Sequence, residues 1–207
     1  MIRVLKVIII LFVWSSFGFK GELYKETKHI GKSIPDFSLL NIDSTRISFK
    51  TYPNAKGFII VFTCNHCPFA KLYPARLNAL NLKYSSLGVP LMAINSMDTA
   101  VYEEESFELM RTKAMREKTN FPYLYDASQI VGKSFGADHT PHAFVLWKEN
   151  GEYIIKYSGA IDDNGEHPEL ANSYIENALN ELLANKTISN AETISFGCRI
   201  YYRTKAE

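Results

Sequence analysis

Cys64 and Cys67 stand three positions apart in the stretch "TCNHCP" (63–68), directly after the apolar run "GFIIVF" (57–62). Two thiols at that spacing can cycle between dithiol and disulfide, can supply half of a metal site, or can form a local staple. A staple across two residues closes a very short loop and stabilises little through chain entropy. A zinc site asks for about four ligands. No second CxxC or HxxxH exists, so Cys198, His139 and His142 would have to fold together to complete one. Redox exchange is the chemistry that asks for nothing beyond the pair itself.

The elements that must position the pair can be read on either side of it. Gly57–Thr63 is continuously apolar, as expected for a strand covered on both faces. From Cys67 to Ser86 the pattern turns helical, with Tyr73, Leu77, Leu80, Tyr84 and Leu87 on one stripe. Pro68 suits a first helical turn, and Pro74, further in, is expected to kink the helix. Gly88 ends it, and residues 89–97 ("VPLMAINSM") read as a second buried strand.

That order puts Cys64 at the carboxyl end of a strand and at the mouth of a helix, the edge where open α/β sheets gather their chemistry. A helix N-terminus carries roughly half a positive charge, so the Cys64 thiol is expected to ionise more readily. The thiolate is the form that attacks disulfides. Cys64 is then the attacking sulfur and Cys67 the resolving one. Asn65 and His66 lie between them as tuning residues, and a charged His66 would favour the thiolate form.

Further along, Tyr102–Lys118 reads as a helix with Glu103–Glu105 in its first turn, matching the helix dipole. Residues 123–136 give a short strand or turn and a short helix closed by Gly136. His142–Gly159 is a hairpin around Glu149-Asn150-Gly151, and Leu170, Tyr174, Ile175, Ala178, Leu179 and Leu182 mark a last helix. Residues 34–52 hold two short strands, and the tail from Lys186 to Glu207 matches no element. An apolar strand, a crossover helix and a second apolar strand make a parallel unit, and the hairpin adds antiparallel strands. The fold class is α/β, with a mixed central sheet flanked by helices and an N-terminal β extension.

With 46% hydrophobic and 22% charged residues, the 207-residue chain has a globular composition. Its formal charge is +1, with no concentration of Lys and Arg, so nothing suggests a nucleic-acid partner. Arg3 and Lys6 precede the apolar run 7–14 and the small residues Ser15, Ser16 and Gly18, the layout of a secretory leader. The expected organisation is a leader at 1–18, a domain at 33–185 and a tail at 186–207. A membrane association would follow only from an uncleaved leader. Cutting after Gly18 removes Arg3 and Lys6 and takes the formal charge from +1 to −1. An extracytoplasmic, periplasmic location would let a disulfide persist. Three cysteines are too few to staple such a domain, and the odd one, Cys198, stands as a possible third thiol.

At "FTCNHCPFAKLYPARLNAL" and "HTPHAFVL" the sequence resembles the thioredoxin-like superfamily, in its redoxin (AhpC/TSA-like) branch. The resemblance runs from about Ser33 to Ala184, and "SFGCRIYY" resembles a Gly-Cys-x-Ile ending found in that branch. It implies a thioredoxin-like fold in which Pro141 is cis and faces the CxxC, with the Thr140 backbone free to pair with a substrate strand. It also implies a thiol–disulfide oxidoreductase acting on protein or small-molecule thiols, with the cysteine pair as redox carrier and no flavin or nicotinamide. A separate, unidentified electron donor or acceptor would recycle the pair.

The departures matter as well. Phe58, Ile59 and Ile60 stand near the position where thioredoxin carries an acidic residue, and Ala70 replaces the glutamate of membrane-anchored relatives. No carboxylate is thus assigned to deprotonate Cys67. Gly57 and Val61 replace the Pro and Thr of a peroxidatic loop, which counts against a thiol peroxidase. A copper chaperone binding through Cys64, Cys67 and His139 is the other alternative, although copper carriers of the superfamily space their cysteines by three residues. His139, two residues before Pro141, otherwise reads as a solvated loop histidine.

Overall fold

No residue between Gly57 and Phe62 is exposed, and that burial organises the sheet. The computed structural model describes residues 29–204, so the expected leader lies outside the described residues. Along the chain come β1 (Ser33–Ile34), β2 (Leu39–Asn41), β3 (Arg46–Ile47), β4 (Gly57–Phe62), α1 (Pro74–Ser85), β5 (Leu91–Asn95) and α2 (Phe107–Arg116). They are followed by β6 (Tyr123–Tyr125), α3 (Ile130–Phe135), β7 (His139–Thr140), β8 (His142–Glu149), β9 (Glu152–Gly159), α4 (Tyr174–Leu183) and β10 (Cys198–Arg199).

Eight strands make one sheet in the order β1-β9-β8-β4-β5-β6-β2-β3. The pairs β4–β5 and β5–β6 are parallel; the other ladders of this sheet are antiparallel. This is the expected mixed sheet, with β1 on one edge and β2–β3 on the other as the N-terminal extension. The alternation along β4 assigns its two faces. Phe58, Ile60 and Phe62 pack with Met92, Phe135 and Phe144. Ile59 and Val61 pack with Leu80 and Tyr84 of α1, Met110 of α2 and Leu179 of α4.

The expected hairpin is present, turning through Asn150 and Gly151 with φ of 50° and 87°, the left-handed pair that a two-residue hairpin loop requires. Gly136, φ 71°, closes α3 as the sequence suggested. Five expectations need correction. Residues 34–52 hold parts of three strands, not two. The long helix from Cys67 is instead a 3-10 turn at Ala70–Leu72 followed by α1, whose first residue is Pro74. Pro74 therefore starts a helix and kinks none; its missing N–H costs nothing there. Glu103–Glu105 form a separate 3-10 turn, and α2 begins only at Phe107. Leu87 and Leu170 lie outside the helices they were read into, and both are exposed.

Leu179 is fully buried against the sheet, whereas Leu170 is 74% exposed. Leu179→Ala is expected to cost about 2–5 kcal/mol, which lowers Tm by roughly 2–4 °C for each kcal/mol. Leu170→Ala is expected to stay within about 0.5 kcal/mol of wild type. Thermal unfolding of the two variants checks the corrected boundary of α4.

Candidate active site

Thr63 makes the last hydrogen bond of the parallel ladder, donating its N–H to the Ile94 carbonyl at 2.9 Å. Beyond it, Cys64–Phe69 run as a loop, because α1 cannot begin before Pro74. The regular helix expected to open beside Cys64 starts only at Pro74, and the first helical turn, closed by the Lys71 N–H on the Cys67 carbonyl at 3.2 Å, follows Cys67. A different set of groups organises the loop.

The centre of that set is Glu105, which is fully buried beneath the loop. Its Oε1 and Oε2 accept the Asn65 N–H at 3.0 and 2.9 Å, and Oε1 accepts the His66 N–H at 2.9 Å. His66 Nδ1 lies 2.6 Å from Oε1, and Asn95 Nδ2 donates to Oε2 at 2.6 Å. These partners suit a carboxylate, an acceptor-only group. Asn65 Nδ2 donates to the Glu104 carbonyl at 2.7 Å, and the Tyr123 hydroxyl donates to Asn65 Oδ1 at 3.0 Å. From α2, Lys113 sends its ammonium to the Cys64 carbonyl at 2.6 Å. Burial pushes the Lys113 pKa below its ordinary value. Glu105 is the site residue that sequence reasoning missed.

Across the loop lies Thr140, joined to Pro141 by a cis peptide bond, as the resemblance implied. Cys64 Sγ and the Thr140 hydroxyl are 3.0 Å apart, and Cys67 Sγ lies 3.0 Å from the Thr140 carbonyl oxygen. Both cysteines are reduced and fully buried. Their cover includes the tail, which matched no element in the sequence. Its strand β10 pairs antiparallel with β7, Cys198 opposite Thr140.

The two sulfurs titrate together, and the sequence expectation for Cys64 is reversed. The hydrogen bond to Cys67, burial and the Glu105 charge push the Cys64 thiol well above its ordinary range. The hydrogen bond from Cys64 pulls Cys67 down to about 4 against its burial, helped by the Cys198 thiol and by the backbone of Ala70 and Cys198. One contact of Cys67, the Thr140 carbonyl, suits a thiol and not a thiolate. The pair therefore has two hydrogen-bonded arrangements for one proton. In one, the Cys67 sulfur carries the negative charge and the neighbouring Cys64 keeps its proton. In the other, the Cys67 thiol donates to the Thr140 carbonyl and the Thr140 hydroxyl donates to the Cys64 thiolate.

Asn65, half-buried, positions the loop through its bonds to Glu105, Glu104 and Tyr123. His66 stacks on Tyr102 with centroids 4.1 Å apart and pairs with Glu105, so any charge it carries is directed at that carboxylate. His139 turns to Asp138, Nδ1 to Oδ1 at 2.9 Å. It is not in the one group of described residues with donors close enough to share an ion, which is Cys64, His66 and Glu105, with atoms within 4.8 Å of one another. Among the described residues the copper set of Cys64, Cys67 and His139 is thus not brought together. A cleft of about 580 Å³ lined by Ile34, Phe49, Tyr52 and Tyr153 contains none of the reactive residues.

A CxxC at the end of a central strand, facing a cis-proline across a mixed sheet, defines a thioredoxin-like dithiol protein. Residues 30–164 match the AhpC/TSA family, and the chain belongs to it. The thiol-disulfide oxidoreductase ResA of Bacillus thuringiensis subsp. konkukian is 25% identical over 158 residues, covering 74% of this chain and 86% of that protein. Relatives of this kind place the chain among the thiol–disulfide oxidoreductase enzymes. Among solved structures, an uncharacterized conserved protein from Geobacillus kaustophilus is 32% identical, with a TM-score of 0.78 over 87% of this chain and 96% of that one. A hypothetical protein from Sinorhizobium meliloti 1021 is 27% identical, with a TM-score of 0.77 over 86% and 96%.

Two substitutions are expected to move Cys64 in opposite directions. Glu105→Gln removes a charge that raises the Cys64 pKa, so Cys64 alkylation by iodoacetamide rises at lower pH than in wild type. Thr140→Val removes a hydrogen bond that lowers it, so the rise comes at higher pH. Alkylation rates across a pH series, read at Cys64 by peptide mass spectrometry, check both signs; a Glu105→Gln profile at or above wild type contradicts the role given to the carboxylate.

Proposed function

We propose that this protein is an exported thiol–disulfide oxidoreductase in which Cys64 forms the mixed disulfide with substrate and Cys67 resolves it. The observation that carries the reading is that both sulfurs are seated on Thr140, before cis-Pro141, Cys64 against its hydroxyl and Cys67 against its carbonyl, each at 3.0 Å. The proton first moves from Cys64 to Cys67 along their hydrogen bond. This supplies the acceptor that the sequence left unassigned, in the opposite sense: Cys67 takes a proton from Cys64. The Cys64 thiolate attacks one sulfur of a substrate disulfide, and the other leaves as a thiolate that picks up a proton. That proton comes from Cys67, and the Cys67 thiolate so formed attacks the Cys64 sulfur. The Cys64–Cys67 disulfide forms, and the second substrate thiol leaves.

The basic, apolar, small order of residues 3–18 supports export and a periplasmic setting. The substrates would be protein or small-molecule disulfides and thiols, with a separate donor or acceptor recycling the pair. No organic cofactor is needed for this cycle, since the two cysteines hold both electrons. The peroxidase alternative is the weaker reading. The positions that would have to build a peroxide-binding loop, Gly57 and Val61, are buried inside β4.

Cys64→Ser is expected to reduce insulin-disulfide reduction to the uncatalysed rate. Cys67→Ser is expected to accumulate a mixed disulfide between Cys64 and the insulin chain, visible on non-reducing gels. A Cys64→Ser variant with wild-type turnover removes the proposal. A trapped adduct on Cys67 in Cys64→Ser, with none in Cys67→Ser, reverses the two roles.

A further inference from the structure

The third cysteine is held at the pair by the fold. Gly197 has φ 144°, and any Cβ there would run into the Thr140 carbonyl, so the tail backbone lies directly on β7. Thr140 Oγ1 donates to the Cys198 carbonyl at 3.3 Å, and the Ile200 N–H donates to the Asp138 carbonyl at 2.9 Å. Phe196 packs edge-on against Phe69 of the CxxC loop, with centroids 5.8 Å apart.

The segment is anchored on both sides of Cys198. Upstream, Thr193 Oγ1 accepts the Ala160 N–H at 3.0 Å and meets the Tyr157 hydroxyl at 2.6 Å. Downstream, the buried Gln129 donates to the Tyr201 carbonyl at 2.9 Å and accepts the Arg203 N–H at 2.8 Å. Ile200 is buried, and the Tyr202 hydroxyl donates to the Ala137 carbonyl at 2.6 Å. The outcome is a strand of the protein's own chain laid on the Thr140 edge, with Cys198 opposite Thr140 and packed against the cluster that holds Cys67, whose sulfur lies 3.0 Å from the Thr140 carbonyl.

Building on the dithiol exchange proposed above, we propose that Cys198 is a third redox-active thiol that takes over the disulfide of the oxidised pair as Cys67–Cys198. The step is an internal exchange. The Cys198 thiolate attacks Cys67 Sγ, the Cys64–Cys67 bond breaks, and Cys64 leaves as a thiolate that takes up the proton lost by Cys198. No oxidant or reductant enters, because one disulfide replaces another. The product returns Cys64 to the thiol state while Cys67 keeps the oxidation, and it ties the tail covalently across the Thr140 edge. Burial and the hydrogen bond to Cys67 hold the reduced Cys198 thiol up at about 12. The share that comes from Cys67 disappears once Cys67 is in a disulfide, so oxidation of the pair lowers the Cys198 thiol while the share from burial stays.

The test uses the full chain, equilibrated in glutathione buffers of graded oxidised-to-reduced ratio. Samples are then acid-quenched, alkylated with N-ethylmaleimide and mapped by peptide mass spectrometry. The expected result is a Cys67–Cys198 linked peptide in wild type, with Cys198 protected from alkylation about tenfold or more across the oxidised range. The same link is expected in Cys64→Ser, where Cys67 has no other partner within the chain. Recovery of Cys198 fully alkylated wherever Cys64–Cys67 is oxidised, with Cys67 capped by glutathione in Cys64→Ser, overturns the inference. Insulin reduction and the Cys64–Cys67 disulfide, followed in Cys198→Ser, separate the two readings. If both persist while no Cys198 link forms in wild type, the exchange reading stands and only the third thiol falls. If no Cys64–Cys67 disulfide forms in wild type or in Cys198→Ser, the exchange reading itself falls.

Discussion

One negative charge shared between two buried sulfurs is the constraint that the rest of the site serves. A lone thiolate without donors, removed from water, would take up a proton. Here Cys64, Cys198 and the backbone of Ala70 and Cys198 lower the Cys67 thiol, which favours the charge on that sulfur. Glu105 lies on the far side, next to Asn65 and His66, and raises the cost of moving that charge to Cys64. The Thr140 hydroxyl works in the other direction. Their competition sets how often the proton crosses, and so how often Cys64 is ready to attack.

Burying Glu105 carries its own requirement, since an ionised carboxylate inside a protein needs close to full hydrogen bonding to be tolerated. Two loop N–H groups, the His66 ring and the Asn95 amide meet it. Among the described residues no buried side-chain nitrogen or oxygen lacks a hydrogen-bond partner. These bonds also explain why the loop needs no helix to hold it. The N–H groups of Asn65 and His66 are fastened to Glu105, and the Cys64 carbonyl to Lys113. A carboxylate and an ammonium from the segment after β5 do the positioning that the sequence assigned to a helix beginning at Cys67.

This division explains what was legible in the sequence. The β4 run, the Asn150-Gly151 turn and the Gly136 helix end are written in neighbouring residues, because each answers to a local rule of burial, handedness or capping. The cis bond before Pro141 was reached through family resemblance, since nothing local to Thr140-Pro141 demands it. Glu105 left no mark of its own. In "YEEES" it looks like one of three solvated acids opening a helix, and only Asn65 and His66, some forty positions away, distinguish it. The Cys67 helix failed because the apolar stripe from Tyr73 onward is real, while Pro68 and Pro74 hold back the backbone before it. Periodicity reports which face is buried; it says less about where the first hydrogen bond closes.

The tail was illegible for a related reason. A two-residue strand carries no periodicity, and β10 exists only because β7 offers a free edge beside Pro141. That edge is also where a substrate strand would be expected to pair in a protein of this class. An internal strand and an external one cannot both use the Thr140 backbone, so access to the pair depends on the local stability of residues 196–200. The anchors at Thr193 and Gln129 lie outside that span and can hold while the middle lifts, because opening a short segment breaks only the bonds within it. Gly197 suits both states: it is the residue that allows the closest approach to Thr140, and lacking a side chain it leaves little apolar surface to expose on leaving. Both reactive sulfurs are fully buried with the tail seated on β7, so the tail is part of the surface that any substrate disulfide meets at the pair.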